Sequence, residues 1–154
     1  MTYRMEGLAP QAFAGLFAMA DGELAARGAI RVTADAPGYP CRVSLEEAAP
    51  GEELILLNHV SHDVAGPFRT AYAIYVRKDA EPAACYTDEA PAYLDKRTLG
   101  LRGFDAEGML KDGLLAMPGE ADAKIRALFE RAEIDTIHAH SAAYGCFLAR
   151  IERN

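Results

Sequence analysis

The sequence predicts an α+β fold with a mainly antiparallel sheet of about six to eight strands. Strand-like segments follow one another through short loops, and such loops join antiparallel neighbours. Helical periodicity is confined to a region near the N-terminus and to a region before the last hairpin, which is typical of α+β proteins. The chain has 154 residues with no repeat or linker, so we expect a single domain over residues 1–154.

The first elements are a short strand and a helical region. Residues 3–5 are predicted to be a strand, and Pro10 suits the first turn of a helix. Apolar residues at helical spacing predict helices over residues 10–27, in which Asp21 caps a second, shorter helix and Gly28 ends it. Alternation then predicts a strand over residues 29–33.

The middle of the chain begins with a loop over residues 35–40, where two prolines and a glycine exclude regular structure. Residues 41–45 are predicted to be a short extended piece, and residues 46–49 one helical turn. The apolar run over residues 53–58 is typical of a strand buried on both faces. A loop is expected over residues 59–68.

The second half is predicted from alternating patterns and turn residues. Residues 70–76 form the next strand, and residues 78–97 are expected to be irregular with one helical turn. A hairpin is expected over residues 98–117, with Gly108 at a positive φ. An apolar stripe predicts a helix over residues 120–132.

The last hairpin pairs residues 136–140 with residues 145–151. Side chains alternate across a strand, so His138 and His140 share one face. A five-residue loop would place His140 opposite Cys146. This register is preferred because it places four apolar side chains together on one face of the hairpin. They are Ile137, Ala139, Phe147 and Ala149.

Composition excludes several partners. The formal charge of −7 argues against binding to nucleic-acid phosphates or to an anionic membrane surface. No apolar run is long enough to span a membrane, and the first residues lack the apolar stretch of a signal peptide. The three cysteines form no C-x-x-C pair. Free thiols in such a chain indicate the cytoplasm.

The leading functional hypothesis is a pocket that binds a small anionic molecule. Arg42 and Arg69 precede or open apolar strands, where a guanidinium can clamp a carboxylate or phosphate. His138 and His140 would add polar groups to the same lining, with Cys41 or Cys146 close by. These are the predicted ligand-binding residues. The residues identify no catalytic group and no cofactor, and a homodimer is left open.

Two other classes of function remain open. One is a non-catalytic structural or interaction protein whose histidines are incidental residues on a solvent-facing strand. The other is an enzyme, which would use a Cys–His pair or a metal bound by His138 and His140 together with His59 and His62. The spacing of these histidines matches no known metal signature. The sequence also lacks a phosphate loop, a nucleophile elbow and an HExxH motif.

Several segments together resemble the bacterial domain-of-unknown-function family DUF1203. The residues that carry this resemblance are Pro40–Leu45, Gly51–Glu52, Pro67–Arg69, Ile74–Val76, and His138–His140 with Gly145–Cys146. The resemblance extends over nearly the whole chain. It implies a small, stand-alone bacterial domain and implies no particular activity.

Overall fold

The computed structural model describes residues 1–154 and confirms an α+β fold with mainly antiparallel strands. The strands in chain order are β1 (Tyr3–Glu6), β2 (Ile30–Thr33), β3 (Pro40–Cys41), β4 (Glu46–Glu47), β5 (Glu53–His62), β6 (Thr70–Arg77), β7 (Cys85–Thr87), β8 (Leu99–Phe104), β9 (Leu110–Ala116), β10 (Thr136–Ser141) and β11 (Phe147–Arg153). The α-helices are α1 (Asp21–Ala26), α2 (Ala92–Asp95) and α3 (Ala121–Phe129). None of the helices is long and apolar enough to cross a membrane.

The strands divide into two sheets, whereas the sequence predicts one. The first sheet has six strands in the order β7-β1-β11-β10-β8-β9. The second has five strands in the order β2-β5-β6-β3-β4. The pairing of β3 with β6 is parallel and the other pairings are antiparallel.

The main core lies between one face of the first sheet and the helices α2 and α3. Ile137 and Ala139 on β10 face this core, together with Ile125 and Leu128 on α3. The apolar stripe predicted for the helix after residue 120 is therefore confirmed, although the helix ends at Phe129. Burial of this face fixes which side chains of β10 point away from it, because the side chains alternate. Those side chains are His138 and His140.

The N-terminal region covers one face of the second sheet. Two short 3₁₀ helices, Pro10–Ala12 and Ala14–Ala18, and the helix α1 replace the longer helices predicted over residues 10–27. Ala20, and not Asp21, is the N-cap of α1, and its N–H donates to the Glu23 carboxylate at 2.8 Å. The 3₁₀ turns keep the apolar side chains on the sheet without a continuous helix.

Three further predictions for the middle of the chain are wrong. The residues expected to form one helical turn contain the strand β4, which pairs with β3. The loop expected from residue 59 begins later, because β5 continues to His62 and pairs with Thr70. The irregular segment after Lys78 contains the strand β7, which pairs with β1. In each case pairing across the sheet determines the structure of a short polar segment whose own pattern is weak.

Candidate functional site

Three histidines form a cluster between the two sheets. His138 and His140 share one face of β10, as predicted, and their ring centroids lie 6.2 Å apart. His62, the last residue of β5 in the second sheet, brings its ring to 5.0 Å from that of His138. All three side chains are buried. The alternative that these strand histidines face solvent is therefore wrong.

Aromatic rings enclose the histidine cluster. The Phe104 ring lies 5.1 Å from His138 and 4.2 Å from His62. Phe147 contacts both strand histidines, and the Tyr72 ring lies 5.1 Å from His140. This packing explains why polar side chains can occupy a buried layer: neutral imidazole is compatible with aromatic contact, whereas the charged form would lose its hydration there.

The hydrogen bonds of the cluster define two tautomers. His140 donates through Nδ1 to the carbonyl of Gly145 at 3.0 Å, because a carbonyl can only accept. His62 likewise donates through Nε2 to the carbonyl of Gly108 at 2.9 Å. The Nε2 atoms of His138 and His140 are buried without a hydrogen-bond partner.

Burial lowers the pKa of both strand histidines. The pKa of His138 falls to about 3, first through loss of hydration and then through the neighbouring charges of His62 and His140. Burial also lowers the pKa of His140, a direction that its bond to Gly145 opposes. Both rings are therefore neutral at physiological pH. No three His, Cys, Asp or Glu side chains are arranged to hold a metal ion, and the His59 ring lies against Phe13 at 5.9 Å, away from this cluster.

The register of the last hairpin differs from the prediction. His140 is opposite Phe147, and Ala139 is opposite Ala149, with a β-bulge between these two pairs. The bulge turns Phe147 onto the histidine side and leaves Leu148 in the main core. The apolar set that motivated the five-residue loop is thus divided, because Phe147 packs against imidazole rings and not against the helices.

A cavity of about 760 Å³ opens beside this cluster, in the size range of small-molecule sites. Its wall contains residues of both sheets and of the loop that joins β10 to β11. The lining residues are Gly38, Pro40, Arg42, Leu56, Ala73, Tyr75, Arg97, Thr98, Ser141, Ala143, Tyr144, Cys146 and Leu148. The lining thus combines two arginines, several hydroxyl groups and an apolar surface, and it contains no carboxylate.

Arg42 is the most distinctive residue of this cavity. Its side chain is only 3% exposed, yet it makes no salt bridge. Nε donates to the carbonyl of Phe147 at 2.8 Å and Nη1 donates to the carbonyl of Pro40. Nη2 makes no hydrogen bond within the protein. Burial lowers the pKa of Arg42, and no carboxylate opposes that shift.

Arg97 forms the second cationic part of the wall. It donates to the Glu47 carboxylate and to the carbonyl of Tyr93, and its guanidinium lies 5.0 Å from the Tyr93 ring centroid. Lys96 pairs with the same carboxylate at 3.0 Å. Glu47 therefore pairs with two cations, Arg97 and Lys96, and Arg42 adds a third positive charge near them. The two charged side chains that line the cavity, Arg42 and Arg97, are both cationic in a protein whose formal charge is −7.

The six predicted site residues occupy four different places. Arg42 and Cys146 line the cavity, and His138 and His140 lie in the buried cluster. Cys41 is fully buried in the core of the second sheet, where it accepts the N–H of Arg77 at 3.3 Å. Arg69 is more than half exposed and pairs with Asp63 at 2.8 Å. The structure therefore does not bring Cys41 or Arg69 into the cavity, since one packs in the core and the other stays in solvent.

Arg97, Thr98 and Ser141 are polar lining residues that the sequence analysis missed. A signal for Arg97 is present in the sequence, because it precedes an apolar strand in the same way as Arg69. No local signal marks Ser141, which reaches the cavity only because the two sheets meet beside the hairpin loop.

Comparison with known families supports the resemblance found in the sequence. Residues 38–153 match the family described as "Protein of unknown function (DUF1203)". The chain belongs to this family. The match includes every lining residue of the cavity and all three histidines of the cluster. No curated protein and no solved structure matches the chain.

Proposed function

We propose that this DUF1203 protein binds a small anionic molecule in the cavity between its two sheets, with Arg42 as the principal anchor. The observation that carries the proposal is the buried Arg42 guanidinium without a carboxylate partner. A buried charge is strongly unfavourable unless it is paired or fully hydrogen-bonded. A bound carboxylate or phosphate would supply the missing counter-charge and accept from Nη2.

The shape of the wall favours an anion that carries an apolar body. Leu56, Ala73 and Leu148 form apolar surface in the same cavity that holds the arginines. Small-molecule sites typically combine such surface with a few oriented polar groups. Thr98 and Ser141 provide hydroxyl groups that can donate to a second oxygen of the anion. The free thiols of the chain further favour a cytoplasmic location, where the ligand would be a metabolite.

The other large cavity makes an informative contrast. It has a volume of about 710 Å³ and its wall includes Glu6 and Glu81 but no arginine or lysine. Volume alone would therefore not select a site on this protein. The distribution of charge favours the Arg42 cavity for an anion.

Benzoate and benzamide provide a matched pair of probes, since they differ in charge but hardly in shape. Isothermal titration should detect benzoate binding to the wild-type protein, weaker binding of benzamide, and loss of the benzoate signal in Arg42→Gln. Arg69→Ala serves as the control arginine, because its side chain lies outside the cavity. Equal benzoate affinity in the wild type and Arg42→Gln would overturn the proposal.

A second pair of variants tests the site even if Arg42→Gln does not fold. Ala143 and Ala142 are exposed neighbours in the hairpin loop, but only Ala143 lines the cavity. Ala143→Asp should weaken benzoate binding by repulsion, whereas Ala142→Asp should leave it nearly unchanged. The same affinity in both variants would also reject this site.

A further inference from the structure

Cys146 places a thiol in the wall of the proposed anion cavity. It is partly exposed, and its Sγ lies 3.8 Å from the carbonyl of Tyr144. The next residue is Phe147, whose carbonyl accepts the hydrogen bond from Arg42. The chain therefore holds the thiol one residue from the group that anchors the buried guanidinium.

The other two cysteines occupy different environments. Cys41 is fully buried in the core of the second sheet. Cys85 is exposed on β7, where it accepts from Nε of Arg4 at 3.4 Å. Cys146 alone combines access to the cavity with the nearby, carboxylate-free guanidinium of Arg42.

We propose that Cys146 captures small disulfides that carry a carboxylate, by forming a mixed disulfide inside this cavity. The proposal rests on the anion-binding function argued above. Arg42 would hold the carboxylate of the incoming molecule, and the apolar wall would contact its body. Binding thus brings the disulfide to the thiol and raises its local concentration there.

The step is an ordinary thiol–disulfide exchange. The Cys146 thiol loses its proton to solvent, and the thiolate attacks one sulfur of the small disulfide. The new bond joins Sγ to that sulfur while the original sulfur–sulfur bond breaks. The second half of the small molecule leaves as a thiolate and takes up a proton. The leaving sulfur is reduced to the thiol level, the Cys146 sulfur is oxidised to the disulfide level, and the captured sulfur keeps its oxidation state, so the step needs no other oxidant.

Two aromatic disulfides test the charge preference. Dithiobis-nitrobenzoate carries a carboxylate on each ring, whereas dithiodipyridine is neutral and of similar shape. The measurement is the rate of reaction with each reagent in a Cys85→Ser background, with the site of the mixed disulfide located by mass spectrometry. We define the rate ratio as the rate with dithiobis-nitrobenzoate divided by the rate with dithiodipyridine. This ratio isolates the effect of the reagent's charge, because any change in thiol reactivity affects both rates.

The folded Cys85→Ser protein should show a rate ratio about tenfold above that of the same protein unfolded in urea, a factor typical of electrostatic steering. Adding Arg42→Gln should return the ratio to the unfolded value, and Cys146→Ser should abolish the fast reaction. A ratio that does not change with Arg42→Gln would overturn the proposal, as would modification at a site other than Cys146.

Benzoate binding separates this proposal from the one on which it rests. The benzoate affinity of the Cys85→Ser protein, whose substituted residue lies outside the cavity, measures the anion site without the exchange step. If benzoate binds but the rate ratio shows no preference for the anionic disulfide, the capture proposal fails alone. If benzoate also fails to bind, both proposals fail.

Discussion

Nε of Arg42 donates a hydrogen bond of 2.8 Å to the carbonyl oxygen of Phe147, and this bond joins the two sheets of the protein. Arg42 follows β3 in the second sheet, and Phe147 begins β11 in the first. The same guanidinium lines the cavity that we propose as the anion site. Arg42 is thus expected to act both in the structure and in binding.

Arg42→Ala should destabilise the protein far more than Arg69→Ala. Removal of Arg42 leaves the Phe147 carbonyl without its partner in a buried layer, which costs about 1–3 kcal/mol. Arg69 is exposed and paired with exposed Asp63, a type of contact worth at most about 1 kcal/mol. Urea unfolding of the two variants measures this difference. Equal free energies of unfolding would show that the bond between the sheets contributes nothing.

Acid should destabilise the protein through His138. Its pKa in the folded state is about 3, below the ordinary value of 6.5, so the unfolded chain binds a proton that the folded protein does not. Stability is therefore fully present above about pH 6.5 and falls as the pH decreases toward 3. One such group contributes a slope of at most about 1.4 kcal/mol per pH unit.

The free energy of unfolding of the wild type and of His138→Leu, measured between about pH 6.5 and pH 5, tests this expectation. Most carboxylates stay ionised in that range. The variant should show a shallower slope, with the remainder arising from His59 and His140, whose pKa values burial also lowers. The titratable and charged groups that face His138 are His62, His140, Arg102 and Arg150. Identical slopes would mean that His138 binds its proton equally well in the folded and the unfolded protein.

The histidine face could be predicted from the sequence because alternation along a strand is a local property. The Ile137 and Ala139 side chains point to the helices, so His138 and His140 must point to the other side. The bulge opposite His140 could not be predicted. Phe147 and Leu148 are both apolar, and only the packing of Phe147 against the histidines decides which of them enters the main core.

Local patterns of residues along the chain cannot predict the cavity itself. The place of Arg42 beside a strand predicts an anion-binding residue, but the same criterion also selects Arg69, which lies in solvent. Burial distinguishes the two arginines, and burial of Arg42 depends on contact between the two sheets. The sequence does not show how the two sheets contact each other, so it cannot separate these two arginines. Ser141 escapes prediction for the same reason.

Gly7 should tolerate no side chain, because it packs directly on the backbone of the Arg42 segment. A Cβ at this position would lie 1.8 Å from the carbonyl oxygen of Val43, which itself accepts the N–H of Ala84. Since backbone cannot yield as a flexible side chain does, Gly7→Ala should cost about 3 kcal/mol or more. Gly22→Ala is the matched control: it adds a methyl group in open space on α1 and should stabilise by up to about 1 kcal/mol. Thermal unfolding of both variants checks the prediction, and a small effect of Gly7→Ala would contradict the close packing.

His140 should position the loop that forms one wall of the proposed site. Its Nδ1–H bonds the Gly145 carbonyl at 3.0 Å, and Gly145 has a φ of +74° that favours glycine. Loss of this bond in His140→Leu should cost about 1 kcal/mol of stability. The larger effect should fall on the loop itself, where the Gly145 N–H bonds the Ser141 carbonyl at 2.8 Å. Faster hydrogen exchange at that amide is the expected result.

Looser geometry of the loop should also weaken the benzoate affinity about fivefold, since a binding wall that moves by about 1 Å loses its oriented contacts. His59→Leu is the control, because the His59 ring packs on Phe13 and makes no bond to this loop. If both variants lose the same stability but only His140→Leu exchanges faster and binds benzoate less tightly, His140 is a positioning residue of the site. Unchanged exchange and affinity in His140→Leu would instead make the hydrogen bond to Gly145 purely structural.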